Sequence, residues 1–378
     1  MRLFIFIIIL LSIVVVLESQ AVIPESPYSL LGALSAAGEF IKSLNIHSYY
    51  LITPDITITL EGILTTLLTL FVIGFILERF KTLEQNNYVL TKQLQRLSQK
   101  ISDMNKDLNN LVIQIRRDIL RMVHDVNSGH PGGSLGCVEF FVTLYKRILN
   151  IGSNQINKDV FILSNGHISP VYYSILARTG HFDISELNTF RKINSRLQGH
   201  PTNHDGLPGV NISSGSLGQG LSVGVGVALS KKLNNDDSIV YVLTGDGELQ
   251  EGQNWEAFMY AAAKNIDNII VTVDLNGQQI DGSTKDVLDL GNLNLKLESF
   301  GWKVLEIKDG NSLDEIYEVI SGAKDIAFKG KPIVALMNTV MGNGVDFMMH
   351  THDWHGKAPN DEQLEIALSQ NPETIGDY

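Results

Sequence analysis

Apolar residues in the second half of the chain follow two alternating patterns. Short β-branched runs at 238–244 and 268–274 are typical of strands buried on both faces. Between them, residues 248–264 carry apolar side chains at helical spacing. The alternation continues, with strands predicted at 159–164, 302–307 and 332–337, and helices at 118–126, 138–149, 221–233 and 312–323. This order predicts an α/β fold, a parallel sheet with helices on both faces.

Two apolar segments precede this region. Residues 3–17 are short for a spanning helix, so we interpret 1–23 either as a signal peptide or as a first transmembrane helix. Residues 56–77, interrupted only by Glu61, predict a transmembrane helix, with 24–55 as an extracytoplasmic loop. A buried globular helix is the alternative. Four basic residues follow the second segment: Arg79, Lys81, Lys92 and Arg96. They predict a membrane-anchored protein whose C-terminal domain is cytoplasmic.

A heptad pattern follows the second apolar segment. Its positions are Phe80, Leu83, Asn87, Leu90, Leu94, Leu97, Ile101, Met104, Leu108, Leu111 and Ile115. Alternating steps of three and four indicate a coiled coil, and Asn87 at an a position favours a parallel two-stranded register. We predict a coiled-coil stalk over 78–106, followed by the α/β domain over 107–378. A single amphipathic helix lying on the domain is the alternative.

Composition excludes some classes of function. The chain has 378 residues and a net charge of −12, which argues against nucleic acid as a partner. Its one cysteine, Cys137, excludes an intrachain disulfide. We interpret Cys137 as a small buried residue rather than a nucleophile.

The chemistry concentrates where two predicted strands end. Asp246 lies between two glycines after the strand 238–244, and Asn276 follows the strand 268–274. The carboxyl ends of parallel strands meet at one edge of a sheet, where ligands bind. Glycines allow a diphosphate to approach the backbone, and Asp and Asn oxygens suit Mg²⁺. A Gly-Asp-Gly triplet alone is usually a turn, but this arrangement predicts a site for a diphosphate cofactor and its metal ion.

This arrangement resembles the fingerprint of thiamine diphosphate enzymes, which is Gly-Asp-Gly, a spacer of just under thirty residues, then Asn. More closely, seven motifs over residues 105–378 resemble the N-terminal half of transketolase, especially the N-terminal subunit of its split, two-chain form. The motifs are Ser128–Gly132, Leu163–His167, Gly199–Pro201, Ser214–Gly220, Gly245–Gly252, Asn276–Gly282 and Trp354–Asn360. They stand in the family's order. The resemblance does not reach residues 1–100.

The resemblance implies thiamine diphosphate with Mg²⁺, or with Ca²⁺ or Mn²⁺ in its place. The implied metal ligands are Asp246, Asn276 and the main-chain carbonyl of Gln278. The implied cofactor-binding residues are His167, Gly215, Leu217, Asp246, Gly247, Glu251, Asn276, Ile280 and His352. Among them, Glu251 matches a carboxylate that links two active sites across a subunit boundary.

The resemblance also assigns roles to loop histidines, which are usually only solvated when they occur singly. The implied catalytic residues are His130, His200 and His352, the first two facing the substrate hydroxyls. Imidazoles can exchange protons with such hydroxyls near neutral pH. A zinc cluster of His350, His352 and His355 is an alternative that we disfavour, because no cysteine accompanies it.

The resemblance predicts a transketolase, which transfers a two-carbon ketol unit from a ketose to an aldose, with sugar phosphates as substrates. In the family, a second domain binds the pyrimidine ring and supplies the glutamate that activates the cofactor. The matched motifs do not include that domain. We therefore expect this domain on a separate C-terminal subunit, in a dimer or heterotetramer. The alternatives are a deoxyxylulose-phosphate-synthase-like or dehydrogenase-E1-like enzyme, and a non-catalytic membrane-tethered scaffold.

Overall fold

The computed structural model describes residues 60–151 and 158–378. The first apolar segment, 3–17, and the predicted loop, 24–55, lie outside the described residues. The chain divides into two compact units, residues 1–100 and 101–378.

The described helices and strands follow the predicted alternation. Their bounds, in chain order, are α1 Leu60–Asp125, α2 Pro131–Gly136, α3 Val138–Thr143, β1 Val160–Leu163, α4 Ser169–Arg178, α5 Gly220–Leu233, β2 Val240–Gly245, α6 Gly252–Ala263, β3 Ile269–Leu275, β4 Gln278–Gln279, β5 Gly282–Ser283, α7 Thr284–Leu288, α8 Leu293–Ser299, β6 Lys303–Ile307, α9 Leu313–Ile326, β7 Ile333–Asn338 and α10 Asp361–Gln370. All five predicted strands are present. The helix predicted at 138–149 is α3 continued by a π-helical turn, Leu144–Ile148.

The helix predicted at 248–264 is interrupted. A 3₁₀ turn, Gly247–Gln250, comes first, and Glu251 then takes an extended conformation before α6 begins at Gly252. The side chain of Glu248 turns back to accept the N–H of Gly245 at 3.1 Å. Apolar spacing alone does not register such a break, because the apolar residues on both sides of it still reach the core.

Five strands form one parallel sheet in the order β1-β2-β3-β7-β6. Successive side chains of a strand point to opposite faces, and each face has its own core. Tyr241 and Leu243 pack in one core with α2, α3, α4, α9 and the C-terminal part of α1. Val240 and Val242 pack in the other with α5, α6 and α8. The predicted α/β architecture is therefore confirmed.

The N-terminal predictions have a different outcome. No helix in the described part of the chain combines the length and apolar character needed to span a bilayer, so the predicted transmembrane helix at 56–77 is not supported. The described heptad residues from Phe80 to Leu97 are helical, and their apolar members are exposed. The coiled coil itself stays a prediction. Leu108, Leu111 and Ile115 are buried in the core of the α/β domain, which explains their apolar character.

Candidate active site

Asp246 joins the carboxyl ends of two neighbouring strands. The register pairs Gly245 of β2 with Asp274 of β3, so both strands end at the same edge of the sheet. The carboxylate of Asp246 is 2% exposed. One of its oxygens accepts the N–H of Gly247 at 2.7 Å, and the other accepts the N–H of Gly277 at 2.7 Å. The predicted meeting of these two strand ends is thus present.

The charge at this edge has no counterion among the described residues. Burial and the nearby carboxylate of Asp274 raise the pKa of Asp246 to about 7, although its backbone hydrogen bonds oppose the shift. Burial also raises the pKa of Asp274. Neither carboxylate forms an ion pair within the described residues. A divalent cation would favour the charged form of both groups.

The other implied metal ligands lie beside Asp246. The amide of Asn276 donates to Asp274 Oδ2 at 2.7 Å, and its oxygen accepts the N–H of Gln278 at 2.9 Å. Together with Asp246 they border a cavity of about 90 Å³. Its remaining lining residues are Gly133, Asn165, His167, Leu217, Gly245, Gly247, Glu248, Asp274, Gln279, Ile280, Met341 and His355.

Within the described residues, no three His, Cys, Asp or Glu side chains are grouped so that they could hold a metal ion by themselves. The finding disfavours the zinc cluster considered for His350, His352 and His355. It is compatible with the donor set predicted at the strand ends, which contains one carboxylate, one amide and one main-chain carbonyl. Such a set becomes sufficient for a hard cation when a diphosphate adds further oxygens.

Four histidines form a cluster, but His352 is not one of them. The ring centroids of His130 and His167 are 5.1 Å apart, and both rings contact His355, at 5.6 and 5.1 Å. His200 lies 6.2 Å from His130. The side chain of His352 is 44% exposed and lies 3.9 Å from the carboxylate of Asp353, with no ring contact to the cluster.

The predicted residue His352 therefore lies outside the cluster, and His355, three positions later, lines the cavity. The motif Trp354–Asn360 contains His355, and a Cβ placed on Gly356 would lie 3.6 Å from the ring of His130. A Cβ there would make only an ordinary van der Waals contact, so this loop lies against the cluster without requiring glycine at that position. The signal available in the sequence was that His355, and not His352, lies inside the motif Trp354–Asn360.

The imidazoles of the cluster are neutral at pH 7. Burial, with the neighbouring histidines and Arg191, lowers the pKa of His130 to about 4. Burial lowers the pKa of His167 well below its usual value and also lowers the pKa values of His200 and His355. The Nδ1 atoms of His130 and His355 are buried without a hydrogen-bond partner. A bound ligand could pair with them.

The lowered pKa of His130 predicts how the stability of the protein depends on pH. The unfolded chain takes up a proton near pH 6.5, whereas the folded chain takes it up near pH 4, so stability falls as the pH drops through this window. Between pH 7 and pH 5, wild type is expected to lose about 2 kcal/mol more unfolding free energy than His130→Gln. Urea unfolding at both pH values measures the difference. The exposed His204→Gln serves as control, and equal slopes for His130→Gln and wild type would contradict a neutral His130.

Glycines bring the loops of the site into close contact. A Cβ on Gly166 would lie 2.5 Å from Ser214 Oγ and 2.8 Å from the backbone nitrogen of Gly215. Gly215 itself has φ +126°, and a Cβ there would meet the ring of His200 at 2.7 Å. Two buried polar atoms beside these glycines, Asn165 Oδ1 and Ser214 Oγ, have no partner. This combination fits a polar ligand with several hydrogen-bonding atoms, as a diphosphate is.

Gly166→Ala tests this contact. The added methyl group must displace the backbone at Ser214 and Gly215, so affinity for thiamine diphosphate is expected to fall about tenfold and stability by about 1–3 kcal/mol. Calorimetric titration and urea unfolding measure the two effects. Gly322→Ala is the matched control, because Gly322 is exposed on α9 with open space around it and should gain about 0.5–1 kcal/mol. Unchanged cofactor affinity in Gly166→Ala would show that this loop contact does not shape the site.

Three implied cofactor residues lie towards the surface. Leu217 and Ile280 border the cavity but are 37% and 60% exposed. Glu251 is exposed immediately before α6, and a Cβ on Gly218 would lie 2.8 Å from its Cβ. Sequence reasoning missed two further residues that line the cavity, Glu248 and Asp274. Glu248 lies in the motif Gly245–Gly252, whereas Asp274 lies in β3, two residues before Asn276.

A model of the thiamine diphosphate binding domain of transketolase matches residues 108–372. The chain belongs to the transketolase family. It is 40% identical over 262 residues to an apulose-4-phosphate transketolase subunit from Actinobacillus succinogenes, and the match covers 68% of this chain and 92% of the relative. It is 34% identical over 273 residues to the 6-deoxy-6-sulfo-D-fructose transketolase subunit SqwG of a Clostridium species, covering 71% of this chain and 98% of the relative.

Solved transketolases share this fold. The transketolase from Leishmania mexicana matches with a TM-score of 0.66 and 28% identity over 72% of this chain and 42% of that chain. The transketolase from Campylobacter jejuni matches with a TM-score of 0.64 and 31% identity, over 70% and 42%. This chain therefore spans about two fifths of the length of the solved transketolases that it matches.

Proposed function

We propose that this chain is the thiamine-diphosphate-binding subunit of a two-chain transketolase that transfers a two-carbon ketol unit from a ketose to an aldose. The observation that carries the proposal is one cavity bordered both by the buried carboxylate of Asp246 and by the imidazoles of His167 and His355. The transketolase relatives that the chain covers almost completely support the two-chain arrangement, because they are named as subunits.

The residues at the strand ends fit the cofactor. Asp246, Asn276 and the main-chain carbonyl of Gln278 would hold Mg²⁺, and Gly247 would let the diphosphate approach. Ca²⁺ or Mn²⁺ could replace Mg²⁺, because all three cations accept oxygen ligands. When bound, thiamine diphosphate supplies the electron sink that breaking and forming a carbon–carbon bond requires.

The histidine cluster would handle the protons of the substrate. His130 and His355 are neutral at pH 7 and have unpaired Nδ1 atoms, so each can donate to or accept from a sugar hydroxyl. His167 lines the cavity together with Asp246 and would orient the diphosphate side of the ligand. His200 is exposed and lies 6.2 Å from His130, so it would meet the substrate at the outer edge of the cluster.

A partner chain would cover the open side of the cavity. Leu217 and Ile280 leave apolar surface beside the site, and Val223 extends it along α5. Exposed Glu251 lies next to this surface. Such a surface fits a second chain that brings the pyrimidine-binding domain, in a dimer or heterotetramer. The names of the two relatives indicate sugar substrates with a phosphate or sulfonate group, and we propose a sugar phosphate for this chain.

We also propose a cytoplasmic α/β domain held near the membrane by the segments 3–17 and 56–77. This proposal rests on the sequence, since no described helix supports a membrane span. The exposed heptad residues from Phe80 to Leu97 support a coiled coil between two copies. Fractionation of cells into membrane and soluble parts tests the location. A cysteine introduced at Leu90 should crosslink two copies if the coiled coil forms.

The deciding experiment is purification of the full-length chain from its own cells in mild detergent, followed by mass spectrometry of what copurifies. A stoichiometric chain with a pyrimidine-binding domain, and ketol transfer that requires thiamine diphosphate and Mg²⁺, would support the proposal. A panel of ketose phosphates, including apulose 4-phosphate, would then identify the donor. If no such chain appears and the cofactor does not bind, the non-catalytic scaffold replaces this proposal.

A further inference from the structure

One buried carboxylate connects two loops of the site with the end of strand β2. Glu248 is 2% exposed and lies in the 3₁₀ turn after Asp246. Its Oε1 accepts the hydroxyl of Ser164 at 2.5 Å and the N–H of Gly218 at 2.9 Å. Its Oε2 accepts the N–H of Gly245 at 3.1 Å. All three donors are neutral, and no ion pair involves Glu248 within the described residues.

Each donor belongs to a different segment next to predicted cofactor residues. Ser164 starts the loop that carries His167, Gly218 lies between Gly215 and α5, and Gly245 directly precedes Asp246. Ser164 and Gly218 lie 84 and 30 residues before Glu248 in sequence, yet both donate to its side chain.

The packing around Glu248 leaves little freedom for the loops. A Cβ on Gly220 would lie 2.4 Å from Ser164 Oγ, and Gly218 has φ +83°, a conformation that favours glycine. The backbone carbonyl of Glu248 also accepts the buried amide of Asn254 at 2.7 Å, which connects the turn to α6. Both the backbone and the side chain of Glu248 are therefore held in place by hydrogen bonds.

We propose that Glu248 is a positioning residue, whose carboxylate sets the relative places of the loops that hold the cofactor. The inference rests on the proposed function, because the ligand held by those loops is thiamine diphosphate with its metal ion. Glu248 itself would not touch the reacting atoms. Its contribution is to keep His167, Gly215 and Asp246 at fixed separations before the cofactor binds.

Carboxylate chemistry is needed for this role. Three donors require at least three acceptor sites, and a carboxylate offers about four. In Glu248→Gln one of the two carboxylate oxygens is replaced by an NH₂ group, which cannot accept a hydrogen bond from a backbone N–H. The NH₂ group then faces the N–H of Gly218 or of Gly245. A buried N–H without a partner is unfavourable, and the loop that carries it moves.

The test uses the full-length chain with its partner subunit, titrated with thiamine diphosphate in the presence of MgCl₂. Glu248→Gln is expected to weaken cofactor binding about tenfold or more, a loss typical of residues that support ligating groups. At saturating cofactor, kcat is expected to stay within about threefold of wild type, because the residue acts on binding geometry. Hydrogen exchange without cofactor should quicken in peptides containing Gly218 and Gly245.

Asp267→Asn is the matched control. Asp267 is a buried carboxylate at the opposite edge of the sheet, where it accepts Lys232 Nζ at 2.6 Å and the N–H of Gly330 at 2.7 Å. The variant loses a comparable buried acceptor, so its stability should fall while its cofactor affinity stays that of wild type. This separates positioning of the site from general stability.

Ser164→Ala provides a second variant if Glu248→Gln does not fold. It removes one donor from Glu248 and should weaken cofactor binding about threefold to fivefold, since one neutral hydrogen bond is lost. If Glu248→Gln binds the cofactor as tightly as wild type, this inference is wrong but the proposed function still stands. If Glu248→Gln is insoluble, wild-type affinity in Ser164→Ala leads to the same conclusion. Absence of cofactor binding by the wild-type complex would instead overturn the proposed function and this inference with it.

Discussion

Asp246→Asn is expected to reduce affinity for thiamine diphosphate with Mg²⁺ about 100-fold or more. A hard divalent cation prefers anionic oxygen, and Asp246 is the only charged group in the implied set of metal ligands. Asparagine also presents an NH₂ group to the N–H of Gly247 or Gly277, both of which now donate to the carboxylate. Calorimetric titration with the cofactor and MgCl₂ measures the loss.

The same substitution should not destabilise the cofactor-free protein. The pKa of Asp246 is raised to about 7 in the folded state, so the stability that this group contributes is lost as the pH rises towards and above 7. Asparagine removes that pH-dependent cost, which offsets the lost hydrogen bond. Urea unfolding at pH 8 should therefore give the variant an unfolding free energy equal to or above that of wild type.

Asp237→Asn is the control for both measurements, because Asp237 is exposed in the turn before β2. It should match wild type in binding and in stability. An Asp246→Asn variant that binds the cofactor within threefold of wild type would place the metal ion elsewhere. A variant that loses binding only because it unfolds would be recognised from the urea curves.

His355→Ala is expected to lower kcat/KM for ketol transfer about 100-fold, the usual size of a contribution from a group that exchanges protons with substrate. His355 lines the cavity and contacts the rings of His130 and His167. His352→Ala should change kcat/KM less than threefold, since that side chain is partly exposed and makes no ring contact with the cluster. The assay uses the complex with its partner and a ketose phosphate donor.

The two variants control for each other, because they remove the same side chain three positions apart. Cofactor affinity of both should be measured, so that a loss of binding is not taken for a loss of turnover. A large effect in His352→Ala with a small one in His355→Ala would show that the loop rearranges when the partner chain binds. The catalytic role that the resemblance implies for His352 would then be restored.

The sequence by itself determined the α/β architecture and the edge of the sheet where the candidate site lies. Each strand such as 238–244 is a continuous apolar run because both of its faces are covered, and each helix repeats its apolar residues at its own period. Both patterns follow from which side chains of a segment are buried, so strands and helices can be predicted from the sequence without knowing which residues are in contact. Asp246 and Asn276 could be predicted for the same reason, since each lies two residues after such a run.

The tertiary structure alone decided which side chains share the site. His352 and His355 lie in a stretch with no apolar period, and only the fold shows that His355 contacts His130, which is 225 positions earlier in the chain. Likewise, nothing local to Glu248 indicates that its carboxylate holds Ser164 and Gly218. Local patterns report whether a residue is buried, whereas contacts between distant loops depend on how the strands pair, and that pairing exists only in the folded chain.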